Sequence, residues 1–222
     1  PKKEPLQKKL PQSVFFPYRT SQISIETVGK LLSNCSISRM HFHLIPDPGG
    51  RVPELDRSLF SNCREITYSG WLNTEESYNT ELETFESIIS PRIAEGIGMT
   101  FLEAMSKGIC VIAANRPTMN EYIRTGQNGI LFDPTVVMPL EKGLAWKDLG
   151  LRGYRDVVKG FEEFSKRLDE LDSYILSCLE GWPRNRSINR LKLYSLVCRS
   201  EDIGRKVRRG IGKVHRAVKS ML

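Results

Sequence analysis

The segment most suited to bind a ligand is 94–105, where a loop with two glycines runs directly into a predicted helix. Its sequence is Ala-Glu-Gly-Ile-Gly-Met-Thr-Phe-Leu-Glu-Ala-Met. Gly96 and Gly98 lack a Cβ atom, so we expect them to adopt positive φ and to let a ligand approach the backbone closely. The amides of residues 98–101 would then begin the helix with unpaired N–H groups and a positive dipole end. This pattern predicts an anion-binding loop.

Two carboxylates flank this loop, Glu95 before it and Glu103 one turn into the predicted helix, eight positions later. The simplest alternative is an acid pair that is favoured by the helix dipole and has no further role. A glycosidase-type pair of acid and base, with carboxylates about 5–10 Å apart, is a second alternative. The second is disfavoured because an anion-binding loop lies between the two acids.

The elements around the loop alternate between short apolar runs and amphipathic runs, which predicts a parallel sheet covered by helices. The predicted strands are 14–18, 40–45, 65–69, 87–90, 109–113 and 130–132, and the predicted helices are 25–32, 74–82, 101–106, 120–124 and 151–179. Ser24 is the expected N-cap of the first helix, and Gly108 is expected to close the third. The loop therefore follows the fourth strand, and ligands of open α/β sheets bind at such strand ends.

The chain of 222 residues is long enough for one large domain or two small ones. We expect a Rossmann-like domain over 1–182 and a basic helical extension over 183–222, with helices near 188–197 and 200–222. Residues 184–222 hold twelve lysines and arginines and two acids, a net charge of +10, whereas the rest of the chain sums to −3. Apolar residues recur at helical spacing in 200–222, which is typical of an interfacial membrane helix and equally of a helix packed on its own domain.

Composition sets further expectations. The longest apolar run, 109–114, is far shorter than the roughly 18 residues of a membrane span, and no apolar core follows the first lysines, so we expect no signal peptide. Five cysteines without a Cys-x-x-Cys pair favour reduced thiols, as in a cytoplasmic protein. If the extension binds lipid, we expect the protein to be peripheral at the inner membrane face. The basic extension lacks interleaved aromatics, so no nucleic-acid partner is expected.

The segment from Glu95 to Pro134 carries one ordered string of motifs. The loop and its helix are followed by Gly108, Val-Ile-Ala at 111–113, Asn-Glu-Tyr-Ile at 120–123 and Gly-Gln-Asn-Gly-Ile-Leu-Phe-Asp-Pro at 126–134. This string resembles the donor-binding half of retaining GT-B glycosyltransferases of the family-4 (group 1) type. Two glutamates separated by seven residues are the signature of that family. The likeness is close over about 40 residues and looser over 14–134.

The resemblance implies a Rossmann-like C-terminal half of a GT-B fold and a function in sugar transfer. It implies transfer of a hexose, with retention, from a nucleotide-diphosphate sugar (UDP favoured over GDP) to a glycan or lipid-linked acceptor, without a metal or other cofactor. Glu103 would bind the ribose hydroxyls, Glu95 the transferred sugar, and Arg19 the diphosphate. The other donor-binding residues would be those of the loop, namely Gly96, Ile97, Gly98, Met99 and Thr100.

The chain departs from the family pattern in two places. The family usually has a lysine five residues after the arginine, where this chain has Ser24, and Arg92 is the candidate replacement. Ordinary surface roles remain open for Arg19 and Arg92. The chain begins at Pro1 and has no sequence for the N-terminal acceptor-binding domain, so we expect a fragment that binds the donor and transfers little alone. The alternatives are a nucleotide-sugar-binding subunit and a non-catalytic GT-B scaffold.

Three further positions have two interpretations each. Trp71 would stack on a nucleobase or pack beneath the loop, and Glu121 would reach the donor or cap its own short helix. His41 and His43 alternate on a predicted strand and therefore share one face. A metal site there would need a third ligand that the sequence does not identify, so a polar strand face is favoured.

Overall fold

The computed structural model describes residues 9–20, 22–96 and 98–180, and in the last helix the side chains of 169, 172 and 175–180 are not described. One compact unit ends at Val158, and a second begins at Lys159. The expected boundary at 182/183 and the two predicted helices beyond it lie outside the described residues. Within the described residues, no helix is both long enough and apolar enough to cross a membrane.

The sheet has six parallel strands in the order β3-β2-β1-β4-β5-β6, which confirms the predicted Rossmann-like α/β fold. The strands are β1 (Leu10–Tyr18), β2 (Ile37–Leu44), β3 (Cys63–Ser69), β4 (Phe85–Ile89), β5 (Cys110–Ala114) and β6 (Ile130–Phe132). The strand order reverses between β1 and β4. In such sheets the crevice beyond the carboxyl ends of these two strands is where ligands bind.

The helices are α1 (Ile25–Leu32), α2 (Glu75–Leu82), α3 (Met99–Ser106), α4 (Met119–Tyr122) and α5 (Trp146–Glu180). The Ser24 side chain accepts a hydrogen bond from the amide of Thr27 and so caps α1 as expected. Gly108 follows α3 with a φ of +64°, the left-handed conformation that closes a helix. A short 3₁₀ helix at Arg57–Phe60 was not predicted, since it has no long amphipathic period.

Two element boundaries differ clearly from the sequence-based expectation. β1 begins four residues before the predicted start, because its pairing with β4 continues past a register irregularity between Leu10 and Val14. Gln12, inside this stretch, has a φ of 52°. α5 begins at Trp146 rather than at 151, and Trp146 and Leu149 are both buried. Strand pairing therefore extends β1, and burial of apolar side chains extends α5, beyond their periodic patterns.

The core has two parts, one on each side of the sheet. Successive side chains of β1 point to opposite faces, so Phe16 packs in the cluster that includes Val28 of α1 and Trp146 of α5. Phe15 packs in the other cluster, with Phe101 of α3. A parallel sheet covered on both faces is a rigid platform for the loops at its carboxyl edge.

Candidate functional site

A cleft of about 470 Å³ lies at the carboxyl edge of β1 and β4, at the point where the strand order reverses. The ends of β1 and β2, the loops that follow the first four strands, and the first turns of α2 and α3 supply its walls. The side chains in these walls include Arg19, His43, Trp71, Tyr78, Arg92, Thr100 and Glu103. The structure thus brings four of the sequence-predicted site residues, Arg19, Arg92, Thr100 and Glu103, into one cavity.

The two arginines of the cleft share one carboxylate. Arg19 places Nε at 3.0 Å and Nη2 at 2.9 Å from Oδ1 of Asp47, and Arg92 places Nη2 at 2.7 Å from Oδ2. The Asp47 amide also donates to the Arg19 carbonyl, which fixes the two loops against each other. Two guanidinium groups and one carboxylate give this cluster a net positive charge, and the carboxylates of Glu75 and Glu103 line the same cavity. Sequence reasoning missed Asp47, although an acid just after β2 lies at the same sheet edge as Arg19.

The N-terminus of α3 faces the cleft through Thr100. No side chain caps this end, and its first turn contains no acid. The first-turn amides of a helix have no intrahelical acceptor, and the dipole adds positive potential there. Glu103, one turn further along, lines the same cavity. The described part of the loop therefore places a carboxylate beside an anion-attracting helix end.

The glycines of this loop do not have the left-handed backbone that the sequence suggested. Gly96 is outside the left-handed region, and a Cβ there would have no neighbour within 4 Å. Gly98 has a φ of 18°, and a Cβ there would lie 1.7 Å from Cε1 of the buried Phe101 ring. Packing of Phe101 therefore requires glycine at 98. Ile97 lies outside the described residues.

Glu95 is half-buried and does not itself line the cleft. Burial raises the pKa of its carboxyl, and the positive charges of Arg92 and Arg19 act against this rise. Its backbone carbonyl accepts a 2.7 Å hydrogen bond from the hydroxyl of Thr118, which precedes α4. Glu95 is thus held within electrostatic range of the arginine pair.

Aromatic side chains also line the cleft. Trp71 is 78% exposed, so the expectation that it packs beneath the loop is wrong. Tyr78, on α2, is half-buried, and burial together with the nearby Glu103 carboxylate raises the pKa of its phenol. The Tyr78 hydroxyl is therefore protonated throughout the neutral range. Glu121 is exposed on α4 and is not part of the cleft wall.

The histidine pair of β2 is buried, with 3% of His41 and 2% of His43 exposed. Both rings reach Ser69 of β3, and Glu81 of α2 lies beside them. Glu81 is the third group that sequence reasoning did not locate, because nothing in the helical pattern of α2 marks it as a neighbour of β2.

The sequence profile described as Glycosyl transferases group 1 matches residues 16–145, more than half of the chain. The chain belongs to the glycosyl transferases group 1 family. The match includes both glutamates and both cleft arginines. No curated protein sequence matches the chain.

Solved structures of other glycosyl transferases have the same fold. TarM is 16% identical, with a TM-score of 0.54 over 76% of this chain and 36% of its own. Sucrose-phosphate synthase from Thermosynechococcus elongatus is also 16% identical, with a TM-score of 0.53 over 76% of this chain and 46% of its own. A glycosyltransferase from Rickettsia africae ESF-5 is 21% identical, with a TM-score of 0.51 over 74% of this chain and 48% of its own.

These likenesses confirm the architecture of a GT-B C-terminal half. This group 1 family chain spans about a third to a half of the length of the solved structures that it matches.

Proposed function

We propose that this chain is the donor-binding half of a retaining hexosyltransferase and that the cleft holds a nucleotide-diphosphate sugar. The observation that carries the proposal is the convergence of Arg19, Arg92 and the uncapped start of α3 on one cavity that also contains Glu103. A positive wall beside a carboxylate suits a ligand with a diphosphate and neighbouring hydroxyls.

The diphosphate would lie against the arginines and the helix end. Guanidinium groups donate in a planar fork that matches phosphate oxygens, and both are held ready by Asp47. When the bond between the anomeric carbon and the diphosphate breaks, negative charge grows on the leaving oxygen. Fixed positive groups stabilise that charge without reorganisation, so we propose that no metal is required for transfer.

The two carboxylates would bind the hydroxyl groups. Glu103, inside the cleft, would accept hydrogen bonds from the ribose, and Glu95 from the transferred hexose. The exposed indole of Trp71 at the same cavity offers a face for a nucleobase, with uracil favoured over guanine. The acceptor hydroxyl would attack the anomeric carbon from the side of the leaving group and pass its proton to the diphosphate oxygen, which retains the configuration.

The acceptor would be a glycan or a lipid-linked precursor bound by a second, N-terminal domain. The chain spans only a third to a half of the matched structures, so we expect it to bind donor but to transfer little alone. The alternatives are a donor-binding subunit, which should co-purify with an acceptor-domain partner, and a scaffold, which should bind no nucleotide sugar.

A thermal-shift screen against UDP-, GDP- and ADP-sugars tests the proposal. A sugar nucleotide at 100 times its Kd should stabilise the chain by about 2.7 kcal/mol, with UDP-sugars the most effective. Arg92→Ala and Glu103→Gln should each weaken binding at least about tenfold, since each removes a charged partner. Arg39→Ala is the matched control, because Arg39 pairs with Glu65 at 2.7 Å and does not line the cleft. Absence of any stabilising sugar nucleotide would contradict donor binding.

We also propose that the basic extension attaches the protein to an anionic membrane face in the cytoplasm. The charge of +10 over residues 184–222, against −3 for the rest, supports this. The full chain should bind phosphatidylserine vesicles at low salt, and deletion of residues 200–222 should abolish that binding. Equal binding with and without those residues would show that residues 200–222 are not the anchor.

A further inference from the structure

Two imidazoles and one carboxylate converge beside the cleft, from two different elements. His41 and His43 point to the same side of β2, and Glu81 approaches them from α2. Three ligand atoms, one from each residue, lie within 4.8 Å of one another. Nε2 of His41 and Oε1 of Glu81 are 3.3 Å apart.

We propose that His41, His43 and Glu81 bind one divalent transition-metal ion of the Zn²⁺ type. Two neutral imidazoles and a carboxylate are the ligands of many three-residue zinc sites, whose fourth position stays open. Zinc–ligand bonds of about 2.0–2.1 Å at the tetrahedral angle place neighbouring ligand atoms about 3.3 Å apart. The distance between His41 and Glu81 has that value, and small side-chain movements would bring the third ligand to the same spacing. This site adjoins the donor cleft, since His43 also lines that cleft, but the proposed donor chemistry uses no metal.

The surroundings of the rings fit ligation. Thr67 Oγ1 lies 2.8 Å from Nδ1 of His41 and can accept a hydrogen bond from it, which leaves the Nε2 lone pair facing Glu81. A hydrogen bond of this kind to the second ring nitrogen is usual for metal-binding histidines. Phe15 packs against both rings, with centroids 5.2 Å from His41 and 5.7 Å from His43, and so restricts their rotation. Burial lowers the pKa of both imidazoles, that of His41 to about 4.

Ser69 occupies the space between the three groups. Its Oγ lies 2.7 Å from Nε2 of His41, 2.7 Å from Nδ1 of His43 and 3.1 Å from Oε2 of Glu81. In the metal-free protein, with His41 in the tautomer that carries its proton on Nε2, the hydroxyl can accept from both rings and donate to the carboxylate. Thr67 then donates to Nδ1 of His41, and zinc binding would move the ring to the other tautomer. A rotation about the Ser69 Cα–Cβ bond would clear this position for an ion.

Zinc titration of the full chain, in competition with a chromophoric chelator, tests the site. The cysteines are first blocked with N-ethylmaleimide, because five thiols offer competing ligands. We expect one equivalent of Zn²⁺ to bind and Co²⁺ to give the visible absorption of a tetrahedral site without a thiolate charge-transfer band. Glu81→Gln keeps the side-chain volume and the contact with Ser69, and it should weaken zinc binding at least about tenfold.

The chain provides its own control, since its third histidine, His215, belongs to the basic extension. His215→Ala should bind zinc as tightly as the wild type. Glu81 is 29% exposed, so Glu81→Gln should fold, and equal metal-free melting temperatures would verify it. Ser69→Ala should bind zinc at least as tightly as the wild type, because the hydroxyl no longer occupies the centre. Equal zinc affinity in the wild type and Glu81→Gln, or loss of binding in His215→Ala, would overturn the proposal.

Discussion

The hydroxyl of Thr118 donates a 2.7 Å hydrogen bond to the backbone carbonyl of Glu95. This contact joins the loop that follows β5 to the loop that follows β4. Thr118 has a φ of 59° and a ψ of −44°, which threonine rarely adopts. A backbone of this kind costs about 1–3 kcal/mol and persists where the surroundings impose it. The strained residue is therefore the one that holds the loop carrying Glu95.

Substitutions at Thr118 should separate the hydrogen bond from the backbone strain. Thr118→Ala loses the bond but keeps the strain, so we expect about 1 kcal/mol of destabilisation in urea unfolding. Thr118→Gly loses the same bond and relieves the strain. At an ordinary position glycine is about 0.5–1 kcal/mol worse than alanine, whereas here glycine should be at least as stable. A glycine variant clearly less stable than the alanine variant would show that the backbone is not strained.

Gly98 and Gly96 should respond differently to the same added methyl group. A Cβ at Gly98 would lie 1.7 Å from the Phe101 ring, so Gly98→Ala should cost about 1 to 3 kcal/mol through displacement of a buried side chain. A Cβ at Gly96 would meet nothing within 4 Å, so Gly96→Ala should leave stability nearly unchanged. Urea unfolding of the two variants measures the difference, and equal costs would contradict the packing explanation.

Because of the lowered pKa of Lys9, the free energy of unfolding should rise with pH above neutrality. Burial lowers its pKa from the ordinary 10.5 to about 7, although Glu83 and Glu86 act in the opposite direction and Lys107 adds to the lowering. Between about pH 7 and 10.5 the unfolded chain therefore holds a proton that the folded chain has released, and stability increases with pH across that window. Below about pH 7 both states are protonated, and the dependence disappears.

The measurement is the difference in unfolding free energy between the wild type and Lys9→Met, followed from pH 6 to 9. The subtraction removes the titration of cysteines and of Tyr78. Above pH 7 the unfolding free energy of the wild type should rise relative to that of the variant. A difference in unfolding free energy that stays constant with pH would contradict a lowered pKa of Lys9.

Asn128 should contribute more to stability than a surface asparagine. It is 2% exposed, donates to the Tyr122 carbonyl at 2.9 Å and to Asp156 at 2.7 Å, and accepts from the Arg124 amide at 2.7 Å. Asn128→Ala leaves these groups without their partner and should cost about 2 kcal/mol. The exposed Asn120, with one 3.2 Å contact to another side chain, is the control, and its alanine variant should change stability by less than about 0.5 kcal/mol.

Much of the fold was predictable from local pattern. The Ser24 cap and apolar period of α1 define its bounds, and the three residues of β6 follow directly from the turn before them. The start of β1 was not predictable, because Pro11 and Gln12 interrupt the apolar pattern while pairing with the neighbouring strand continues. Local signals act over a few residues, whereas strand pairing depends on a partner far away in the chain.

The sequence by itself determined the strand–loop–helix unit around residues 94–105 and the family to which it belongs, since both depend on residue order over short distances. Only the tertiary structure decided that Arg19 and Arg92 share Asp47 and that Glu81 meets the β2 histidines. It also decided why position 98 is a glycine. A side chain there would collide with the ring of Phe101, whereas the backbone is not left-handed. These contacts depend on which strands lie side by side, and that order is set by the burial of whole faces, which no short motif contains.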